Sequence, residues 1–363
     1  MTLSKTFDAF LSLVRLGIGH DANGLPDATD WTTLKNLADD HGLSAVVLDG
    51  IEKLNANPGN SVLGLSAEQK LEWIGETWLY YETRYGAYKD AIGSLAGFYG
   101  EHGLRMMVLK GYACSLDWPK PLHRPVGDID IWLFGHYREA DALLASETGL
   151  EADTSHHHHT VFDWQGFMVE NHYDFINVHH HKSNVAFEAI LKDLGNDDSQ
   201  VVEVNGETVY LPSPNLHALF LLKHLMMHFA SEFIVLRQVL DWGFFVEKHG
   251  KDVDWNYVLK VLDRFGMQQM TDIINAICVE NFGFDARIFP GMQFDPKLKE
   301  KVLYEILAPR YGSSLPDAFL KRIVFKMCRW KANEWKHRLC YKDSMWSAFW
   351  SGVWGHLLKP KSI

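Results

Sequence analysis

The 363-residue sequence predicts an α+β chain, a small mixed sheet flanked by N-terminal and C-terminal helical regions. Three observations predict it. Apolar residues recur at spacings of three and four through residues 1–100, short strand-like runs broken by glycine occupy 101–212, and helical spacing returns over 213–363.

In the first region, "TFDAFLSLVRLG" and "AEQKLEWIGETWLYYETRYGAYKDAIGSLAGFYGEHG" read as helices, with Gly103 as a C-terminal stop. In the second, "RMMVLKG" and "GDIDIWLF" read as strands with the helix "HYREADALLASETG" after them. "TVFDWQGFMVENHYDF" reads as two alternating strands around a Gln165-Gly166 turn. In the third, "NLHALFLLKHLMMHFASEFIVLRQVLDWGFFVEKHG" and "DWNYVLKVLDRFGMQQMTDIINAICVENFG" are helical again. There is no internal repeat, and the only polar linker-like stretch is "LGNDDSQ" near residues 194–200.

Composition narrows the function classes. A chain that is 47% hydrophobic and 22% charged can bury a sizeable core in two or three units. A net charge of −11 argues against a duplex nucleic-acid binder, which needs clustered Lys and Arg on phosphate. From Lys321 to Ile363, however, ten bases face two acids. The four cysteines show no metal-finger spacing and no disulfide framework. No secretory signal and no membrane-length apolar run is found, so a reducing cytoplasm is expected.

The central question is "RPVGDIDIW", which sets Asp128 and Asp130 inside an apolar run. Strand alternation points both the same way and Ile129 and Ile131 the other. Two carboxylates so placed repel each other unless a cation lies between them. The same alternation puts Glu170, His172 and Asp174 on one face of the later strand, so neighbouring strands would gather acids suited to Mg²⁺ or Mn²⁺. Upstream, "LKGYACSLDW" ends a strand at Lys110-Gly111 where a helix begins; a glycine there lets phosphate approach backbone N–H groups, and Lys110 and Arg124 add positive charge. The ensemble reads as a triphosphate site.

These segments, "LKGYACSLDWPKPLHRPVGDIDIWLF" and "GFMVENHYDF", resemble the polymerase-β-type nucleotidyltransferase superfamily, and most closely its branch of uncharacterised bacterial nucleotidyltransferases. The resemblance spans residues 100–240. It implies that Asp128, Asp130 and Glu170 hold Mg²⁺ or Mn²⁺ and are catalytic, and that Lys110, Gly111, Arg124 and Gly127 bind the nucleotide. It further implies transfer of a nucleotidyl group from an NTP to a hydroxyl acceptor on a small molecule, glycan or protein. Tyr112 departs from the superfamily's small residue after the glycine. The rival is therefore a catalytically inactive member of the fold that binds a nucleotide or a partner protein. The downstream helix carries His224, His228, Arg237 and Asp241 at matching places, read as mainly structural.

Plainer readings stand beside these. Asp128 and Asp130 would sit in a solvated turn, Glu170 on an exposed strand face, and Lys110 or Arg124 in an ordinary ion pair. His172 would be a packed strand residue, and Arg237 with Asp241 a helical side-chain pair four residues apart. The runs "HHHH" (156–159) and "HHH" (179–181) suggest a third class, a histidine-rich metal-binding protein. Alternation offers only every second histidine of a run to one site, so a surface loop or strand edge is expected. The basic tail carries Trp346, Trp350 and Trp354 at a helical spacing of four. That stripe packs on the protein's own core or rests on an anionic membrane surface.

Overall fold

The computed structural model of the protein describes residues 5–22, 29–56, 65–179, 181–196, 200–312 and 316–346. The fold is α+β as predicted: one six-stranded mixed sheet with helices on both faces. Helices α1 (Lys5–Gly17), α2 (Trp31–Asp40) and α3 (Ser44–Asn55) come first. The long helical reading that follows forms α4 (Ala67–Glu76) and α5 (Arg84–Glu101), joined by a π-helical stretch, Thr77–Thr83. Then come β1 (Met107–Val108), the single turn α6 (Tyr112–Ser115), β2 (Ile129–Trp132), α7 (Tyr137–Thr148), β3 (His159–Trp164), β4 (Phe167–His172), α8 (Lys182–Leu194), β5 (Gln200–Val204) and β6 (Glu207–Leu211). Helices α9 (Pro214–Ser231), α10 (Leu236–His249), α11 (Trp255–Phe265), α12 (Gln268–Phe282), α13 (Pro296–Leu307), α14 (Phe319–Ala332) and α15 (Glu334–Cys340) complete the described chain.

The sheet order is β3-β4-β2-β1-β6-β5. The predicted turn at Gln165-Gly166 closes β3 on β4, both residues having positive φ (53° and 82°), as a two-residue hairpin requires. A second hairpin, β5–β6, turns at Asn205-Gly206; this is the strongest short hairpin signal in the chain, and the sequence reading passes over it. Strand β2 lies between β1, antiparallel to it, and β4, parallel to it, with Asp130 opposite Glu170. The site is therefore set at the middle of the sheet by one register.

Alternation along β2 divides the molecule. Ile129 and Ile131 enter a core with Tyr88, Ile92 and Leu95 of α5 and Leu144 of α7. Trp132 faces the other layer, a larger core that joins Phe10 and Leu13 of α1, Val47 of α3, Leu219 and Phe220 of α9, Leu240 of α10 and Ile274 of α12. The helices from both ends of the chain thus share one core. Close approach inside it needs glycine: a Cβ on Gly50 of α3 would stand 2.1 Å from the Leu13 carbonyl oxygen of α1.

The four cysteines are free. Among the described residues, no helix is long and apolar enough to cross a membrane. Of the tryptophan stripe, Trp346 is 60% exposed with its ring edge-on to Trp330, centroids 5.0 Å apart. Trp350 and Trp354 lie outside the described residues.

Candidate functional site

The loop between α6 and β2 is tied down from both helical regions before the chain reaches Asp128. His123 Nδ1 lies 2.6 Å from Asp49 of α3 and Nε2 3.1 Å from Glu82. Arg124, buried, makes a two-point ion pair with Asp241 of α10, Nε to Oδ1 at 2.7 Å and Nη2 to Oδ2 at 2.9 Å. The Trp118 indole donates to the same Oδ1 at 2.9 Å. Arg124, expected among the phosphate-neutralising bases, thus has its charge engaged inside the scaffold. Asp241, expected to pair with Arg237 on its own helix, pairs with Arg124 instead, while Arg237 donates to the Pro125 carbonyl at 3.0 Å. A planar guanidinium that meets a carboxylate with both nitrogens is better satisfied than the single contact available at a spacing of four.

Asp130 is the centre of the site. Its carboxylate is 2.8 Å from Lys110 Nζ and accepts from His172 Nε2 at 3.1 Å. His172 Nε2 is also 3.4 Å from Glu170 Oε2, so one imidazole stands between two carboxylates. Burial opposes the charge on Asp130, but Lys110 and His172 outweigh it and hold the carboxyl well below its ordinary range. Burial likewise opposes a charged His172, but its hydrogen bonds to Asp130 and Glu170 push it up to about 9. Glu170 is lowered: burial works against its charge, and the contact with His172 more than offsets this. Lys110 Nζ lies 3.2 Å from His224 Nε2 on α9 and donates to it.

Asp128 differs. It immediately precedes β2 and is half-buried, and its carboxyl is pushed up by burial and by the neighbouring charges of Asp130 and Glu170, with Lys110 pulling the other way. The repulsion foreseen between the paired aspartates is thus felt by Asp128, whereas Asp130 is compensated from within. Three carboxylates share two internal cations here, a donor set that fits an added divalent ion.

Gly111 caps α6 at φ 52°, and a Cβ there would meet the Tyr88 hydroxyl at 2.4 Å. Tyr88 donates that hydroxyl to the Asp128 carbonyl at 2.8 Å, so the glycine turn and the aspartate are held against each other. Tyr112, in place of a small residue, turns inward: it is buried and its ring stacks on Tyr85 at 6.2 Å. Gly127 is exposed with nothing near a would-be Cβ, so no close approach demands glycine there. Lys110 and Glu170, whose side chains are 18% and 17% exposed, and the half-buried Asp128 bring the cluster to solvent. A cavity of about 320 Å³ beside α6, between Ala113, Leu116, Asp117, Leu211 and Lys248, contains none of these groups.

His172 is the packed, hydrogen-bonded strand residue that the sequence predicts, and the run at 156–159 ends on β3, the edge strand of the sheet. Alternation places Glu170 and His172 on one strand face, as the sequence predicts, and what it does not show is the contact of His172 with Asp130. His158 and His159 offer ring nitrogens to the same place as His172, and His157 and His159 are buried. His158 lies just outside β3, so strand alternation does not separate it from His159. Asp174, grouped by alternation with Glu170, leaves the cluster at the strand end and pairs with Lys192.

The family described as uncharacterised nucleotidyltransferase matches residues 27–283, which include α2 through α12 and every strand. Among curated proteins none matches the chain. A crystal structure of an antigenic nucleotidyltransferase-like protein from Paracoccidioides brasiliensis is similar at 15% identity, covering 48% of this chain and 87% of that one with a TM-score of 0.33. With the family matched across most of its length, the chain belongs to the uncharacterised nucleotidyltransferases.

Proposed function

We propose that the chain is a metal-dependent nucleotidyltransferase that moves a nucleotidyl group from an NTP to a hydroxyl acceptor. The observation that carries this reading is the register of Asp130 opposite Glu170 on adjacent parallel strands, with Asp128 beside them and short of positive charge. Asp128, Asp130 and Glu170 would hold Mg²⁺ or Mn²⁺, which when bound supplies charge neutralisation at the phosphates and a lower pKa for the acceptor hydroxyl.

The chain's own residues have separable parts in this. Lys110, tethered to Asp130 and partly exposed, neutralises phosphate charge. Gly111, in a conformation a larger residue resists, brings backbone close to the phosphates. Arg124 acts through Asp241 as a positioning residue that holds the approach to β2. In the reaction the acceptor oxygen bonds to the α-phosphorus, the bond to pyrophosphate breaks and pyrophosphate leaves, and the hydroxyl proton passes to solvent water. Most of the rate enhancement on this reading comes from positioning and charge.

A second reading, an inactive member of the fold, is favoured by one observation: Lys110 and His172 already satisfy Asp130. One experiment separates the two. Each of the four NTPs, labelled at the α-phosphate, is incubated with full-length protein, Mg²⁺ or Mn²⁺ and a cell lysate, and pyrophosphate release and label transfer are followed. The proposal expects both signals with at least one NTP and their loss in Asp130→Asn; equal signals from wild type and variant, or none with any NTP, would favour the inactive member.

A further inference from the structure

We infer that the chain carries a second, nitrogen-rich metal position, formed by His158, His159 and His172 with Glu170 as its carboxylate ligand, that takes a borderline divalent cation such as Zn²⁺ rather than Mg²⁺. It rests on other observations than the nucleotidyl-transfer reading, although it shares Glu170 with that site and would take the His172 Nε2 that otherwise donates to Asp130.

Convergence is the first argument. The ligand nitrogens of the three histidines all lie within 4.8 Å of one another. The His158 carbonyl accepts from the backbone N–H of Tyr173 at 3.0 Å and of Asp174 at 3.1 Å, and this holds the residue before β3 against the end of β4. The rings of His158 and His159 consequently meet edge-on, centroids 4.3 Å apart, and lie 5.5 Å and 5.2 Å from the ring of His172.

Distances within the group supply the second. Glu170 Oε2 lies 3.6 Å from His159 Nδ1 and 3.4 Å from His172 Nε2. Zn–N and Zn–O bonds of about 2.0–2.1 Å in a tetrahedron place ligand atoms roughly 3.3 Å apart. Two edges of such a tetrahedron, from Glu170 to His159 and to His172, are therefore near that length, and His158 joins through its nitrogen, which lies within 4.8 Å of those of His159 and His172.

The third argument is satisfaction of buried polar atoms. Among the described residues, the Nδ1 atoms of His158 and His159 are buried and find no hydrogen-bond partner. Buried imidazole nitrogens normally have one, and a cation taking both lone pairs would supply it. His172 is oriented from behind, its Nδ1 3.1 Å from the Asp174 carbonyl, which is how a metal-binding histidine is usually aimed. Three imidazoles and one carboxylate suit Zn²⁺, whereas Mg²⁺ keeps oxygen ligands and waters.

The test uses tag-free full-length protein stripped with a chelator, titrated with Zn²⁺ against a chromogenic chelator and with Co²⁺ by its visible bands. One equivalent of Zn²⁺ should bind and persist in excess Mg²⁺, and Co²⁺ should show the intense bands of a four-coordinate site. His158→Gln/His159→Gln should lose affinity by more than about 100-fold, since even groups behind the ligands contribute 10–100-fold. His157→Gln/His179→Gln should bind as wild type does. Weak six-coordinate Co²⁺ bands in the wild type, or equal Zn²⁺ affinity in the His158/His159 variant, would overturn the proposal. Should that variant misfold, the wild-type Co²⁺ spectrum decides alone. Zn²⁺ binding without pyrophosphate release would leave this site standing and remove the nucleotidyl-transfer reading.

Discussion

Arg124 and Asp241, 117 residues apart, meet as a two-point ion pair in the interior and clamp the loop before β2 onto α10. Removing one partner strands a buried charge, which typically costs about 3–5 kcal/mol. Asp241→Ala should therefore lower the unfolding free energy by about that amount in urea denaturation. Arg124→Met/Asp241→Leu should recover most of it, because two apolar side chains leave no unpaired charge. A loss in the double variant equal to that of the single would mean that the pair's hydrogen bonds, Trp118 included, matter more than its charge.

Gly111 and Tyr88 make a second coupled pair. Gly111→Ala forces a side chain into positive φ and against the Tyr88 hydroxyl, and a strained backbone position of this kind costs about 1–3 kcal/mol. Tyr88→Phe alone should lose about 1 kcal/mol with its hydrogen bond to Asp128. The double variant should be less destabilised than the sum of the two, because the colliding oxygen is gone. Additive losses in thermal or urea unfolding would show that the glycine is required for φ alone.

How far the fold was legible follows from sequence range. The long helices and the β3–β4 hairpin are local patterns, and alternation alone put Asp130 and Glu170 on compatible faces. The compensation of Asp130 was not legible, because it needs Lys110 on one neighbouring strand end, His172 on another and the register between them. The Arg124–Asp241 pair was hidden for the same reason: the nearer partner for Asp241 in sequence is Arg237, and only the packing of α10 on the loop decides otherwise. The approach of His158 to His159 and His172 was not legible, because His158 lies one residue before β3, where alternation does not apply. The β5–β6 hairpin, by contrast, was local and readable from Asn205-Gly206.

Lys223 on α9 gives a pH test of the C-terminal packing. It is 1% exposed, with Nζ 4.2 Å from the Tyr341 ring centre and 5.2 Å from that of Phe187. Burial pulls its pKa down to about 7 from 10.5. A base lowered in the folded state binds fewer protons there than when unfolded, so stability rises with pH between about 7 and 10.5. Lys223→Met should flatten that rise and stabilise the protein most at pH 6, where the native lysine is charged. Parallel pH–stability curves for wild type and variant would show that the ring faces hold the ammonium well enough to cancel its burial.

Asp128 and Asp130 should respond in opposite ways to the same substitution. Asp130 has a depressed folded-state pKa, so its contribution is present above about pH 4 and is lost as pH falls below it. Asp130→Asn therefore destabilises the metal-free protein at pH 7, by about 3 kcal/mol for a broken buried pair. Asp128 is raised, so its charge costs stability progressively as pH climbs through the window above its ordinary 3.8. Asp128→Asn should leave metal-free stability at pH 7 unchanged or higher, and the gain should vanish in acid, where both residues are neutral. With Mg²⁺ and NTP the wild-type melting temperature should rise, and neither variant should show that rise, since a ligand that binds only the native state stabilises in proportion to its occupancy. If Asp128→Asn destabilises the metal-free protein and keeps the metal response, Asp128 is a structural cap on the turn. The cation would then belong to Asp130 and Glu170 alone.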